Sequence, residues 1–335
     1  MSRNVHLVGS VPLASAEEVF RAASSILGTR AARLPDGETG VRKNWINWQY
    51  ALFASHPMLE PDSAPVEAYR YPPGRLRPGV TPSDVGFTSL GYAAHALESY
   101  ATFARLKADG VIGAGVRFQV SLPTPLAPVA TFVVPREIPT LRARYAAAMD
   151  KELRAIFDGI PHGELALQWD VAVEMAIWEG VFPRPPGDWQ ARLTDELAAL
   201  GAGVPEPIEV GYHFCYGDRN HQHFAQPKDT SNLVELASRV LARLPRPPAW
   251  VHLPVPRDRD DLAYFAPLER LELPASTKLF LGLVHLTDGV DGGRRRIAAA
   301  THFASSFGIA TECGFGRRDP GTVVELLRLH VALAG

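Results

Sequence analysis

The chain predicts a single (β/α)8 barrel, on three observations. Its 335 residues are an ordinary length for one such barrel. Eight short apolar segments with strand character alternate with stretches of helical periodicity over most of the chain. The C-terminal ends of those segments carry polar side chains, which a barrel would gather at one mouth, where barrel enzymes place their active sites.

The eight segments are Asn4 to Val11, Ala31 to Asp36, Val116 to Leu122, Leu165 to Val171, Ile208 to Cys215, Trp250 to Pro254, Leu279 to His285 and Gly308 to Cys313. Helical spacing is clear in Ala16 to Leu27, Ala93 to Ala108, Ile138 to Phe157, Trp189 to Leu200, Thr230 to Leu244 and Gly321 to Leu333. Gly28 and Gly110 follow two of these, as glycine does at helix C-termini, and Asp229 to Asn232 offer N-caps before Leu233 and Leu236. Residues 41–91 are too long for a simple connection and hold seven prolines between Pro57 and Pro82. We read them as an excursion over the barrel mouth, a lid or pocket wall within one 335-residue catalytic domain. Arg42, Trp45 and Trp48 are its candidate substrate contacts, although Trp45 and Trp48 at i, i+3 also suit a packed helix face.

Composition narrows the function. The hydrophobic content of 46%, the charged content of 21% and the formal net charge of -2 are those of a soluble globular protein. They give no field to attract nucleic acid or an anionic membrane. No apolar run approaches the roughly 20 residues that span a bilayer. The N-terminus has no long signal-peptide core, and the two cysteines make no disulfide framework, so a cytoplasmic protein is expected.

Those two cysteines are the most informative residues. His213 precedes Cys215 by two positions, so the pair shares one strand face, and Cys313 ends a distant segment. Two sulfurs and one nitrogen suit zinc and leave a fourth position for chemistry. Two isolated cysteines are also commonly inert core residues. Around them the strand ends supply Ser10, Asp36, Glu38, Gln119, Ser121, Gln168, Asp170, His252 and His285. The acids would receive an ammonium or hydroxyl group of a small substrate, since an unpaired buried acid is costly.

These residues resemble the catalytic C-terminal barrel of cobalamin-independent methionine synthase. Val8-Gly-Ser-Val-Pro12 is similar to that family's Ile-Gly-Ser-Phe-Pro segment, and Asp36-Gly-Glu38 with Arg42 to its His-Gly-Glu segment. Gln168-Trp-Asp170 resembles its Gln-x-Asp-Glu-Pro segment, with Val171-Ala172 replacing Glu-Pro. His213-Phe-Cys215 matches its His-x-Cys zinc pair, and Cys313-Gly-Phe-Gly-Arg-Arg318 its Asp-Cys-Gly-Leu-Lys-Thr-Arg segment. The pieces run in the family's order from residue 8 to residue 318. The chain is identified as a short, single-barrel relative in the uroporphyrinogen decarboxylase/methionine synthase-like superfamily.

The resemblance implies a zinc-dependent methyl or alkyl transferase that activates a small, homocysteine-like thiol as thiolate. It implies Zn2+ held by His213, Cys215 and Cys313, and an amino-acid substrate held by Ser10, Glu38 and Asp170. Pro254 stands where the family has a zinc-ligating Glu. An exchangeable fourth ligand is therefore expected, with His252, two residues earlier on the same face, packed or hydrogen-bonded below the metal rather than bound to it. His285 is the expected catalytic proton carrier. His221 and His223 are further candidates that also read as solvated loop residues. The expected partners are a small-molecule thiol and an unidentified alkyl donor, with a corrinoid carrier protein as a macromolecular candidate. Two other readings remain: a metal-free lyase or decarboxylase of the uroporphyrinogen decarboxylase type, and a non-catalytic protein that binds a thiol or a corrinoid carrier.

Overall fold

A computed structural model describes residues 2–62, 71–217 and 222–335 of the chain. Its strands are β1 (Arg33–Pro35), β2 (Leu59–Pro61), β3 (Gly74–Leu76), β4 (Arg117–Pro123), β5 (Leu165–Val171), β6 (Glu209–Phe214), β7 (Trp250–Pro254), β8 (Lys278–Gly282) and β9 (Gly308–Ile309). The helices are α1 (Ala16–Leu27), α2 (Tyr50–Ala54), α3 (Tyr92–Ala108), α4 (Leu126–Phe132), α5 (Ile138–Gly159), α6 (Val173–Trp178), α7 (Trp189–Ala202), α8 (Ser231–Leu241), α9 (Leu262–Phe265), α10 (Gly289–Thr301) and α11 (Val323–Ala334). The fold is α/β. A seven-stranded parallel sheet runs in the order β1-β4-β5-β6-β7-β8-β9, and β2 pairs with β3 in a separate antiparallel hairpin. Strand order follows chain order, as helical crossovers between neighbouring parallel strands require.

Local chemistry explains several boundaries. Ser15 caps α1 by accepting from the Glu18 N–H, while Glu18 accepts from Ala14, and Gly28 closes the helix at a φ of 55°. Asp188 caps α7 in the same way. The strands of the sheet are buried almost throughout, because helices cover them: α1 packs on α3 and α11, α3 on α5, and α7 on α8. None of the described helices is long and apolar enough to cross a membrane.

The expected first strand, Asn4 to Val11, departs from regular pairing. Val5 alone bridges to Ala31 beside β1 and to Ile309 in β9. Beyond it, side chains replace a backbone ladder. Gln119 donates to the Leu7 and Val8 carbonyls, and Ser121 and Gln168 both donate to Val8. The carbonyls are satisfied, but by β4 and β5 side chains rather than by a strand partner. The regular sheet therefore has seven strands and not the eight expected.

The described residues among 41–91 pack as short helical turns, α2 and the β2–β3 pair. Phe53 anchors them against Phe87, Phe132 and Tyr145, all within 6 Å between ring centroids. Glu152 of α5 accepts from the backbone N–H groups of Leu90 and Ala93, 2.6 Å each, which fixes the start of α3.

Candidate metal centre and its cleft

Parallel registration builds the site in levels. Gln168, Gly211 and Trp250 pair across β5, β6 and β7, and two residues further on Asp170, His213 and His252 do the same. Neighbours in register present their side chains to the same face, so the second level sets an acid and two imidazoles side by side. Gly211 is needed below them: a Cβ there would lie 2.0 Å from the Trp250 ring. Gln168 fills the lower level, accepting from Trp250 and contacting His6 at 2.8 Å. Gln168 reads in the sequence as a strand-end residue, whereas patterning does not single out its partner His6.

Above this floor, ligand atoms of His213, Cys215 and Cys313 lie within 4.8 Å of one another. The two sulfurs are 3.7 Å apart. The hydrogen bond that the Cys215 thiol donates to the Cys313 sulfur, then burial, and then repulsion between two thiolates this close push the Cys215 thiol well above its ordinary range. A cation between them would reverse that. His213 Nδ1 lies 2.6 Å from His252 Nδ1, while its Nε2 is buried with no hydrogen-bond partner. An imidazole with an orphaned nitrogen, grouped with two thiols, is the donor set of a soft-metal site, and the residues present fit zinc.

His252 is not placed as a ligand. Its Nδ1 is taken by His213 and its Nε2 by the Thr311 carbonyl at 3.1 Å, as expected of a ring packed below a metal. Pro254 pairs with Gly282 on β8, and its carbonyl accepts from Tyr264. Proline at this position offers no side-chain donor.

The trio opens into a cleft of about 2440 Å³, whose walls also include Ser10, Glu38, Trp45, Asp170 and His223. All three expected substrate residues therefore reach the same cavity as the trio. Glu38 occupies a turn with a φ of 48°, held by its own N–H donating to Asp36. Burial and the neighbouring Asp170 push its carboxyl up to about 8. Asp170 is itself raised well above the usual carboxylate range by burial, against the opposing pull of Gln168 and Trp45 hydrogen bonds. Ser10 accepts from the Gly316 N–H and so also ties the opening segment to the Cys313 loop.

Other expectations resolve differently. Asp36 does not face a ligand: Arg42 pairs with it at 2.6 Å and Ser99 donates to it, which fixes the turn that presents Glu38. Trp48 packs edge-on against Tyr92, whereas Trp45 lines the cleft. His285 is buried and is not among the described residues lining the cleft. Its Nε2 contacts the Val255 carbonyl at 2.8 Å, and its Nδ1 lies 3.5 Å from Glu312. His223 reaches the same Glu312 at 3.3 Å from the cleft side. Glu312, held down to about 2 against burial by His223 and His285, went unnoticed in the sequence because nothing local marks a residue whose partners lie far away in the chain. His221 lies outside the described residues.

No protein-family model matches the chain, and no curated protein matches it. Solved structures do. One is a protein from Listeria monocytogenes assigned as a vitamin-B12-independent methionine synthase, with a TM-score of 0.59 at 14% identity over 98% of this chain and 95% of that one. Another is a B12-independent methionine synthase from Shewanella sp. W3-18-1 in complex with selenomethionine, with a TM-score of 0.58 at 12% identity over 100% of this chain and 97% of that one. The chain shares the fold of these proteins. The likeness runs end to end, as does the order of motifs in the sequence.

Proposed function

We propose that the chain is a zinc-dependent transferase that moves a methyl or larger alkyl group to a small amino thiol. The observation that carries this reading is the grouping of His213, whose Nε2 is buried without a partner, with Cys215 and Cys313 in the wall of an open cleft. A metal-free lyase would leave that nitrogen without a role.

His213, Cys215 and Cys313 would hold the metal, and the position that Pro254 cannot fill is left for the substrate sulfur. Zinc, when bound, lowers the pKa of a coordinated thiol and keeps it nucleophilic at neutral pH. Glu38 and Asp170, two acids crowded together in the cleft wall, receive the substrate ammonium and so orient the sulfur. Ser10 adds a hydroxyl at the same wall. His223 offers the thiol proton an acceptor from the cleft side, with His285 behind it through Glu312. The alkyl donor enters from the open side of the cleft, as a small molecule or on a corrinoid carrier. The amino-acid reading is supported by the selenomethionine, an amino acid, with which the Shewanella structure is in complex. We also propose that residues 4–11 act as an eighth stave that completes a barrel, a reading supported by the bridges of Val5 to both sheet edges. The two free thiols suit a reducing compartment, with the cytoplasm as the proposed location.

Metal analysis tests the reading. The purified protein should carry about one zinc per chain, and Cys215→Ser should lose it, since a hydroxyl is a poor soft-metal ligand. Full zinc content in Cys215→Ser would sink the assignment.

A further inference from the structure

We infer that His252 is a positioning residue which, through the Thr311 carbonyl, fixes the tautomer of His213 and keeps its Nε2 bare for a metal. The inference rests on the zinc reading above and concerns a side chain that touches no metal itself.

The argument follows the protons. A backbone carbonyl can only accept, so the 3.1 Å contact to Thr311 requires His252 to carry its hydrogen on Nε2. A neutral imidazole has one N–H, which leaves His252 Nδ1 as an acceptor. Both rings are fully buried, where burial opposes a charged imidazolium. The 2.6 Å contact between the two Nδ1 atoms then requires His213 to be the donor. The remaining nitrogen, His213 Nε2, is left as a buried lone pair without a hydrogen-bond partner, on the ring that is grouped with the two cysteines. A histidine ligand must present such a lone pair, and what its other nitrogen bonds to decides whether it does.

The geometry of the relay is enforced from two sides. A Cβ at Gly282 would fall 2.8 Å from the Thr311 oxygen and 3.0 Å from His252 Nε2, so only a residue without a side chain lets that bond form. Thr311 in turn donates its hydroxyl to the Cys313 carbonyl at 2.6 Å. The segment that carries the third ligand therefore also carries the carbonyl that orients His252. The relay couples Cys313 to the strand bearing His213 and Cys215, so that the ligands are arranged before any metal arrives.

Two measurements test this, neither of them activity. Nitrogen-15 NMR of metal-free protein labelled at histidine should show His213 protonated at Nδ1 and bare at Nε2. Zinc affinity, measured by competition with a chelator, should fall about 10- to 100-fold in His252→Phe, the usual cost of removing an outer partner of a ligand. His252→Asn places an amide oxygen near the position of the lost Nδ1 and should keep the His213 tautomer and most of the affinity. It also guards against a Phe variant that fails to fold. A wild-type His213 protonated at Nε2 would overturn the relay, as would zinc binding in folded His252→Phe equal to that of the wild type. A wild-type protein that takes up no zinc would instead overturn the metal reading, and the tautomer measured without metal still decides the relay on its own.

Discussion

If Glu38 receives a substrate ammonium, binding must expel a proton. With its carboxyl pushed up to about 8, roughly nine in ten Glu38 side chains are protonated at pH 7 in the free protein. An ammonium brought against that carboxyl adds a charge-assisted hydrogen bond, worth roughly 1.5–3 kcal/mol. At about 1.4 kcal/mol per pKa unit, this lowers the bound-state value by roughly one to two units. Binding at pH 7 should then release roughly 0.4 to 0.8 proton from Glu38.

The assay is calorimetric titration of zinc-loaded protein with methionine, a thioether without a titrating thiol, in buffers of different ionisation enthalpy. The dependence of the apparent heat on the buffer gives the protons released. Glu38→Gln keeps the shape of the side chain and removes the titration, so the release should drop by most of that amount while zinc content is unchanged. Equal proton release in the wild type and Glu38→Gln, with methionine bound by both, would refute the assignment of Glu38 to the ammonium.

The same carboxyl makes stability depend on pH. Folded Glu38 holds its proton up to about 8, whereas the unfolded side chain loses it near 4.5, so the folded state binds more protons between those values and stability falls as pH rises through that window. Glu38→Gln should flatten the decline in urea midpoints between pH 5 and 8. Glu152→Ala strips the acceptor from the buried Leu90 and Ala93 N–H groups, and should lower unfolding free energy by about 2–4 kcal/mol with little effect on zinc content. An unaltered denaturation midpoint would show that the start of α3 is secured some other way.

Most of the sheet was legible because fully buried parallel strands leave continuous apolar runs with polar ends. Leu165–Val171 and Trp250–Pro254 are found as read, and helix α1 likewise. Several elements were not, and two show why. Asn4 to Val11 has strand composition, but its carbonyls are taken by glutamine and serine side chains from β4 and β5, a pairing no local window contains. Helix α10 opens on Gly289-Val-Asp-Gly-Gly and continues through three arginines, which hides its periodicity. It is fixed by tertiary contacts: Arg296 is fully buried, pairs with Asp288 at 2.7 Å through both terminal nitrogens, and donates to the Leu283 carbonyl.

The candidate site divides along the same line. Residues that present chemistry to the cleft lie at strand ends in short motifs, and a reader of the sequence can find His213, Cys215, Cys313, Glu38 and Asp170 there. Residues that set the state of those groups are held across strands: Thr311 through His252 to His213, Gln168 and Trp45 to Asp170, Arg42 and Ser99 to Asp36. Their types are ordinary core and loop types, so only the register that places His252 beside His213, and the contact of His252 with the Thr311 carbonyl, reveal the role. The replacement of the family's Glu by Pro254 belongs to this second class of fact. On the sequence it is a missing ligand. In the fold, His252 already spends both nitrogens on His213 and the Thr311 carbonyl, so it is not placed to take over the vacant position. Were zinc held by His213, Cys215 and Cys313, that arrangement would leave one coordination position for an incoming sulfur, which is why the proposed chemistry is thiol transfer rather than a closed structural metal site.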